Sequence, residues 1–193
     1  MPPTSNRCSA SEQYHNQIFY NLFFQRLSNI QFLKDIKEKT MANTYSKIYI
    51  QTVFVVQDRN SLITKVWKDD LYKYICGIVQ TREHKMLQIG GIADHVHLFV
   101  GLKPNESVSD LMKWVKGSSS EWINEQKFTA TKFKWQDGFG AFSYSHSQIS
   151  AVCKYIQNQE THHKKKTFTE EYLEFLEKFE VPFDERYLFN PVL

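Results

Sequence analysis

Two hydrophobic periods alternate along this chain. Ile48, Ile50, Val53, Val55 and Val56 form a β-rich apolar segment that stops at Gln57-Asp58-Arg59-Asn60, which predicts a first strand over 45–56. Val66, Leu71, Tyr74, Ile75, Ile78 and Val79 then recur at helical spacing and predict an amphipathic helix over about 64–83. Met86, Leu87 and Ile89 run into Gly90-Gly91, and from His95 to Leu102 the side chains alternate, so the pair reads as a two-stranded hairpin. Val108, Leu111, Met112, Trp114 and Val115 mark a second helix through Trp122 and Ile123, with Ser107 or Ser109 as N-cap and Gly117 as a candidate kink. A loop over 125–140 precedes a short strand at Ala141–Tyr144, and a third helix starts near Gln148 with Ile149, Val152, Tyr155 and Ile156 on one face. Residues 168–180 predict one more short helix.

The order β-α-β-β-α-β predicts the α+β class: a ferredoxin-like split βαβ fold with a four-stranded antiparallel sheet, two helices on one side, and an additional C-terminal helix. A chain of 193 residues suits one such domain with appendages. The domain is placed at 41–167. Residues 1–40 differ in character, with a polar start, an aromatic stretch at Ile18–Phe24 and a Lys-rich run to Met41. They read as an N-terminal extension, either a helix packed on the domain or sequence translated from an upstream start. Residues 168–193 form an acidic C-terminal helix and tail.

Composition narrows the class without naming a function. Aromatic residues make up 15% of the chain against 7 Gly and 5 Pro, which excludes collagen-like and low-complexity proteins. Without a long apolar run or a leader-like start, a cytoplasmic protein with no membrane partner is expected. Cys8, Cys76 and Cys153 are too scattered for a disulfide framework or a paired metal site, and Cys76 and Cys153 read as small buried hydrophobes. The net charge is +3, yet the acids gather after residue 167, so the body is basic and fits a polyanionic partner.

Two spacings carry chemistry. His95-Val96-His97 lies on a strand, where alternate side chains share a face, so both imidazoles converge and can hold a divalent cation. The same pattern also describes an ordinary exposed strand. Tyr155 and Gln159, four apart on a helix, share a face one turn from each other. Read without context, they are equally a core tyrosine and a solvated amide.

Four ordered motifs, Asp94-His95-Val96-His97-Leu98, Val115-Lys116-Gly117-Ser118-Ser119, Trp135-Gln136-Asp137-Gly138-Phe139-Gly140-Ala141-Phe142 and Tyr155-Ile156-Gln157-Asn158-Gln159, make the chain from Tyr45 to Phe168 resemble a known family. It is similar to the single-tyrosine HUH transposases of small IS200-like insertion sequences and their REP-associated relatives. The resemblance implies that His95, His97 and Gln159 bind a divalent metal, Mg²⁺ or Mn²⁺, and that Tyr155 is the nucleophile. Single-stranded DNA marked by a hairpin would be cut and rejoined through a 5′-phosphotyrosine, with no nucleotide cofactor. A homodimer is also implied, with the third helix in cis or in trans. Residues 1–40 have no counterpart in the family pattern.

Asp94 either caps the strand turn or orients a histidine. Lys113, Lys116, Lys132, Lys134, Lys154, Lys164 and Lys165 are candidate phosphate contacts, as is Lys166, and each also suits a solvated face. Trp114, Trp135 and Phe139 either stack on bases or fill the core, with Trp114 read as core. His162 and His163, in a basic segment, read as facing solvent or DNA, and His146 has no evident partner. Competing functions are a transposase-derived hairpin-binding repressor without efficient cleavage, a replication initiator or relaxase, and a structural ferredoxin-like domain.

Overall fold

In a computed structural model, which describes residues 45–184, strand β1 (Ile48–Val55) lies between two neighbours and pairs antiparallel with both. Helix α1 (Lys68–Thr81) leads to β2 (Lys85–Gly91) and β3 (His95–Leu102), then α2 (Val108–Glu125) leads to β4 (Gly140–Tyr144). The sheet order is β2-β3-β1-β4. This is the antiparallel split βαβ arrangement that the hydrophobic periods predict. The extension read at 1–40 and the tail beyond residue 184 lie outside the described residues.

Both faces of the sheet are covered, and the two faces differ. On one, Phe54, Val96, Leu98 and Val100 meet Leu71, Ile75 and Val79 of α1 and Leu111 and Val115 of α2. Each such side chain, fully removed from water, stabilises by roughly 1.5–3 kcal/mol. On the other, Val53, Val55 and Phe142 meet Phe168, Phe175 and Leu176, while Phe99 meets Val152 and Ile156. The covering elements there are α3 (Ile149–Gln157), the four-residue α4 (Gln159–His162) and α5 (Phe168–Lys178). Since β3 alternates, the second face also receives His95 and His97, both with no exposed surface.

Local sequence sets where the helices begin. Ser107, rather than Ser109, caps α2 by accepting from Asp110 N at 3.0 Å. Thr167 and Glu170 form a reciprocal capping box that starts α5 at Phe168. That start places Phe168, Glu171 and Phe175 on the buried stripe. The expected kink at Gly117 is absent: α2 runs unbroken through it, and its Cα faces open space.

The third helix departs from expectation at Asn158. Its N–H is shared between the carbonyls of Lys154 and Tyr155, α3 ends, and α4 begins at Gln159. Tyr155 and Gln159 therefore do not share one continuous helix. Cys76 and Cys153 are half-buried rather than buried, and burial pushes both thiols up from their ordinary value. Among the described residues, no helix is long and apolar enough to cross a membrane.

Gly90 of β2 lies under Ile156 of α3, and a Cβ there would stand 2.5 Å from the Ile156 carbonyl oxygen and 2.9 Å from its Cγ2. Because the obstacle is backbone, α3 must move to admit it. Gly90→Ala is expected to cost about 1–3 kcal/mol of unfolding free energy; an unchanged midpoint in urea would mean that α3 is not held against β2 as described.

Candidate functional site

Two buried imidazoles on β3 need partners, because an unpaired buried polar group costs about 1–3 kcal/mol. His95 finds one in the adjacent residue: its Nδ1 lies 2.7 Å from Asp94 Oδ1. A carboxylate accepts, so Nδ1 carries the proton and Nε2 presents its lone pair to the site. Asp94 also accepts Val56 N–H through its carbonyl, so it both anchors the turn and orients the ring. His97 Nδ1 receives Gln51 Nε2 at 3.0 Å, across the sheet from β1.

The opposite sides of both rings face the covering helices. Gln159, 1% exposed, brings Oε1 to 3.4 Å from His95 Nε2 and donates from Nε2 to Glu171 Oε1 at 2.8 Å. Glu171, 2% exposed, points from α5 into the same space, with its oxygens 3.6 Å from His97 Nε2, 3.9 Å from His95 Nε2 and 3.1 Å from His163 Nε2. One ligating atom from each of His95, His97, His163 and Glu171 falls within 4.8 Å of the others. Burial holds the His97 imidazole below its ordinary pKa, and burial with the neighbouring His95 pushes His163 down to about 4. Both are the neutral rings that metal ligation requires.

Tyr155 stands at the edge of this cluster. Its ring lies 5.9 Å from that of His97 and 5.3 Å from that of His162, both near perpendicular. With Gln51, His162 and Glu171 it lines a cleft of about 280 Å³. A phenol, two strand histidines, two amides and a carboxylate thus converge within one chain, from β1, β3, α3, α4 and α5.

The model of the IS200-like transposase family matches residues 44–159. The chain belongs to the IS200-like transposase family. Curated relatives include the transposases of insertion sequence IS200 from Salmonella typhimurium and Salmonella typhi, each 27% identical over 100 residues, 52% of this chain and 65% of theirs. The alignment therefore spans slightly less than two thirds of those proteins. Among solved structures, a candidate transposase from Deinococcus radiodurans covers 63% of this chain and 97% of its own length, with a TM-score of 0.51 and 18% identity. A REP-associated tyrosine transposase, bound to a REP hairpin, covers 80% and 89%, with a TM-score of 0.50 and 13% identity. At these identities the structural likeness concerns the fold.

In this IS200-like family member, the four motifs divide into two pairs. The first and last supply His95, His97, Gln159 and Tyr155. The middle two hold each other: Lys116 Nζ donates to the carbonyls of Gln136 and Gly138, both at 2.6 Å, and Trp135 Nε1 donates to Ser119 Oγ at 2.9 Å. Lys116 is thus engaged inward on these two carbonyls, with its pKa lowered by burial. Lys113, Lys132, Lys134, Lys154, Lys164 and Lys165 are exposed, whereas Lys166 pairs with Glu174.

Other expectations change as well. Trp114 is 50% exposed, against its reading as core, and the Arg82 guanidinium lies 4.9 Å above its ring. Trp135 is buried against Phe54 and Phe133, and Phe139 packs on the same cluster, so both fill the core. His146 meets Tyr49, its ring 5.9 Å away. His163 turns inward, while His162 is half-buried at the cleft. Glu171 was missed altogether. Its signal is an acid on the apolar stripe of an amphipathic helix, between Phe168 and Phe175, where a solvated glutamate has no place.

Lys116→Met should leave two loop carbonyls without their donor and lower unfolding free energy by about 1–3 kcal/mol. Chemical denaturation reads this directly. If stability is unchanged while the salt dependence of nucleic-acid binding weakens, Lys116 is a phosphate contact after all.

Proposed function

We propose that this protein is a single-tyrosine HUH transposase that cuts and rejoins single-stranded DNA. The observation that carries the reading is the approach of the cleft-lining Tyr155 ring to within 5.9 Å of His97, one of the buried His95/His97 pair, within a chain of the IS200-like transposase family. The Tyr155 phenolic oxygen attacks a backbone phosphorus, the bond to the 3′ oxygen breaks, and the phenolic proton is released as the leaving 3′ oxygen takes one up. The products are a 5′-phosphotyrosine and a free 3′-hydroxyl. The bond count is conserved, so a later 3′-hydroxyl rejoins the strand by the reverse attack without ATP.

The cluster fits a divalent cation, Mg²⁺ or Mn²⁺, on physical grounds. His97 Nε2, His163 Nε2 and Glu171 Oε2 are buried and, among the described residues, lack hydrogen bonds of good geometry, and all face one space. His95, His97 and Gln159 would hold the cation. Once bound, it supplies charge neutralisation at the phosphate oxygens, which a phenol of pKa about 10 requires of its electrophile. Asp94 keeps His95 in the ligating tautomer, and the Tyr155 ring is held at the cleft edge by His97, His162 and Phe175.

The substrate would be a DNA hairpin with single-stranded flanks, supported by the fold shared with a protein solved on a REP hairpin and by the basic body of the chain. The exposed lysines are the phosphate contacts of this reading. Cis assembly is supported by convergence within one chain; a homodimer would then serve to hold two DNA ends rather than to complete the site. The protein would work in the cytoplasm.

Labelled hairpin oligonucleotides from the DNA flanking the gene, incubated with protein and Mg²⁺, Mn²⁺ or chelator and run on denaturing gels, test the reading. Wild type should give a metal-dependent covalent adduct and Tyr155→Phe none, with hairpin binding retained because only the attacking oxygen is lost. His97→Ala should lower adduct formation by about 10²-fold or more. An adduct with Tyr155→Phe removes the nucleophile assignment; tight binding with no adduct from wild type points to the repressor-like module instead.

A further inference from the structure

The family match ends at Gln159, yet two of the four clustered ligating groups, His163 and Glu171, come after it. Resting on the reading of the histidine face as a metal site, we propose that Glu171 and His163 are themselves ligands, making α5 a metal-held strap across the sheet whose nitrogen-rich site prefers Mn²⁺ to Mg²⁺. The argument begins with position. Glu171 occupies the centre of the α5 apolar stripe, with Phe168 and Phe175 packed on either side. An ionised carboxylate is held there only if it is paired or ligating.

The groups available to pair with it are imidazoles, and these have other commitments. His95 is oriented by Asp94 so that its lone pair, not a proton, faces Glu171. Among the described residues, Gln159 alone gives Glu171 a hydrogen bond of good geometry, to Oε1, and Oε2 has none. His95 Nε2 and His163 Nε2 therefore both face Glu171 Oε2, at 3.9 and 3.1 Å, an arrangement that a shared cation would satisfy. His97 can join them: a half-turn of the Gln51 amide would place its unpartnered Oε1 against His97 Nδ1–H and free Nε2 to ligate. Gln159, by holding Glu171 Oε1, sets the direction in which the carboxylate points.

Donor chemistry then separates the metals. Mg²⁺ favours oxygen ligands and keeps its waters, whereas imidazole nitrogen suits transition-metal ions, and Mn²⁺ accepts both nitrogen and carboxylate. Three imidazoles against one carboxylate and one amide oxygen are a poor set for Mg²⁺.

The test is binding, read apart from DNA cleavage. Mn²⁺ is titrated into metal-free wild type, Glu171→Gln, His163→Ala and His97→Ala, and free aquated Mn²⁺ is followed by its electron paramagnetic resonance signal. Mg²⁺ competition and unfolding midpoints with and without Mn²⁺ complete the set. Wild type should bind one Mn²⁺, displaced by Mg²⁺ only at more than about a tenfold excess, and gain a higher midpoint. Glu171→Gln, nearly isosteric, and His163→Ala should each weaken Mn²⁺ by about 10–100-fold. If both variants bind like wild type while His97→Ala does not, α5 supplies no ligand, although the histidine pair remains a metal site. Equal affinity for Mg²⁺ and Mn²⁺ overturns the preference. Absence of Mn²⁺ binding by wild type removes the metal reading and this inference together. Should Glu171→Gln fail to fold without metal, His163→Ala carries the decision.

Discussion

A strand buried on both faces cannot place polar side chains where water will satisfy them. β3 is such a strand, and its alternation commits Val96, Leu98 and Val100 to the face of α1 and α2 while turning His95, His97 and Phe99 to the other. Everything that covers the second face must answer that demand. Asp94 answers it from the turn before β3 and Gln51 from β1, and Gln159, His163 and Glu171 answer it from α4, the turn after it and α5. The apolar residues around them, Phe168, Phe175 and Ile156, exclude water and so raise the cost of any group left unpaired.

The same logic explains why this face needs helices at all. A split βαβ sheet requires only α1 and α2 to bury its first face, and the second can lie open to solvent in an antiparallel sheet. Here α3 is drawn so close to β2 that a glycine is needed at 90, and the capping box at Thr167 sets α5 in register. On the other side of the molecule, Lys116 and Ser119 hold the 135–138 segment, which bonds in turn to the end of β1 through the Val55 carbonyl. That clamp fixes the end of β1 opposite His95, its partner across the ladder.

The fold was legible because its strands and helices carry clean periods of two and three to four, and the sheet order follows from short connections and the split βαβ rule. The histidine pair was legible for the same reason, being a local repeat on one strand. What escaped were relations between elements distant in sequence. Glu171 meets His97 across 74 positions, a contact no local period reports, though its place on an apolar stripe was visible. His163 lies in a basic run and looked solvated, because composition describes a segment while burial depends on what lands upon it. Lys116 looked like a phosphate ligand because its charge was visible and the carbonyls that engage it were not. Trp114 fits the helical period, yet it lies outside the arc that α1 and the sheet cover.

The break at Asn158 decides how the two halves of the site differ. On an unbroken helix, residues four apart would point alike, and Tyr155 and Gln159 would enter the same environment. Ending α3 at Gln157, two residues before Gln159, lets the backbone turn, so Gln159 enters the dry cluster at 1% exposure while Tyr155 keeps its ring at the cleft. In the proposed reading, Tyr155 must be open to a charged and bulky strand, while Gln159 must reach inward to the buried histidine pair. One turn of chain separates these needs, and the shared N–H of Asn158, bonding back to both Lys154 and Tyr155, is the local device that makes the separation.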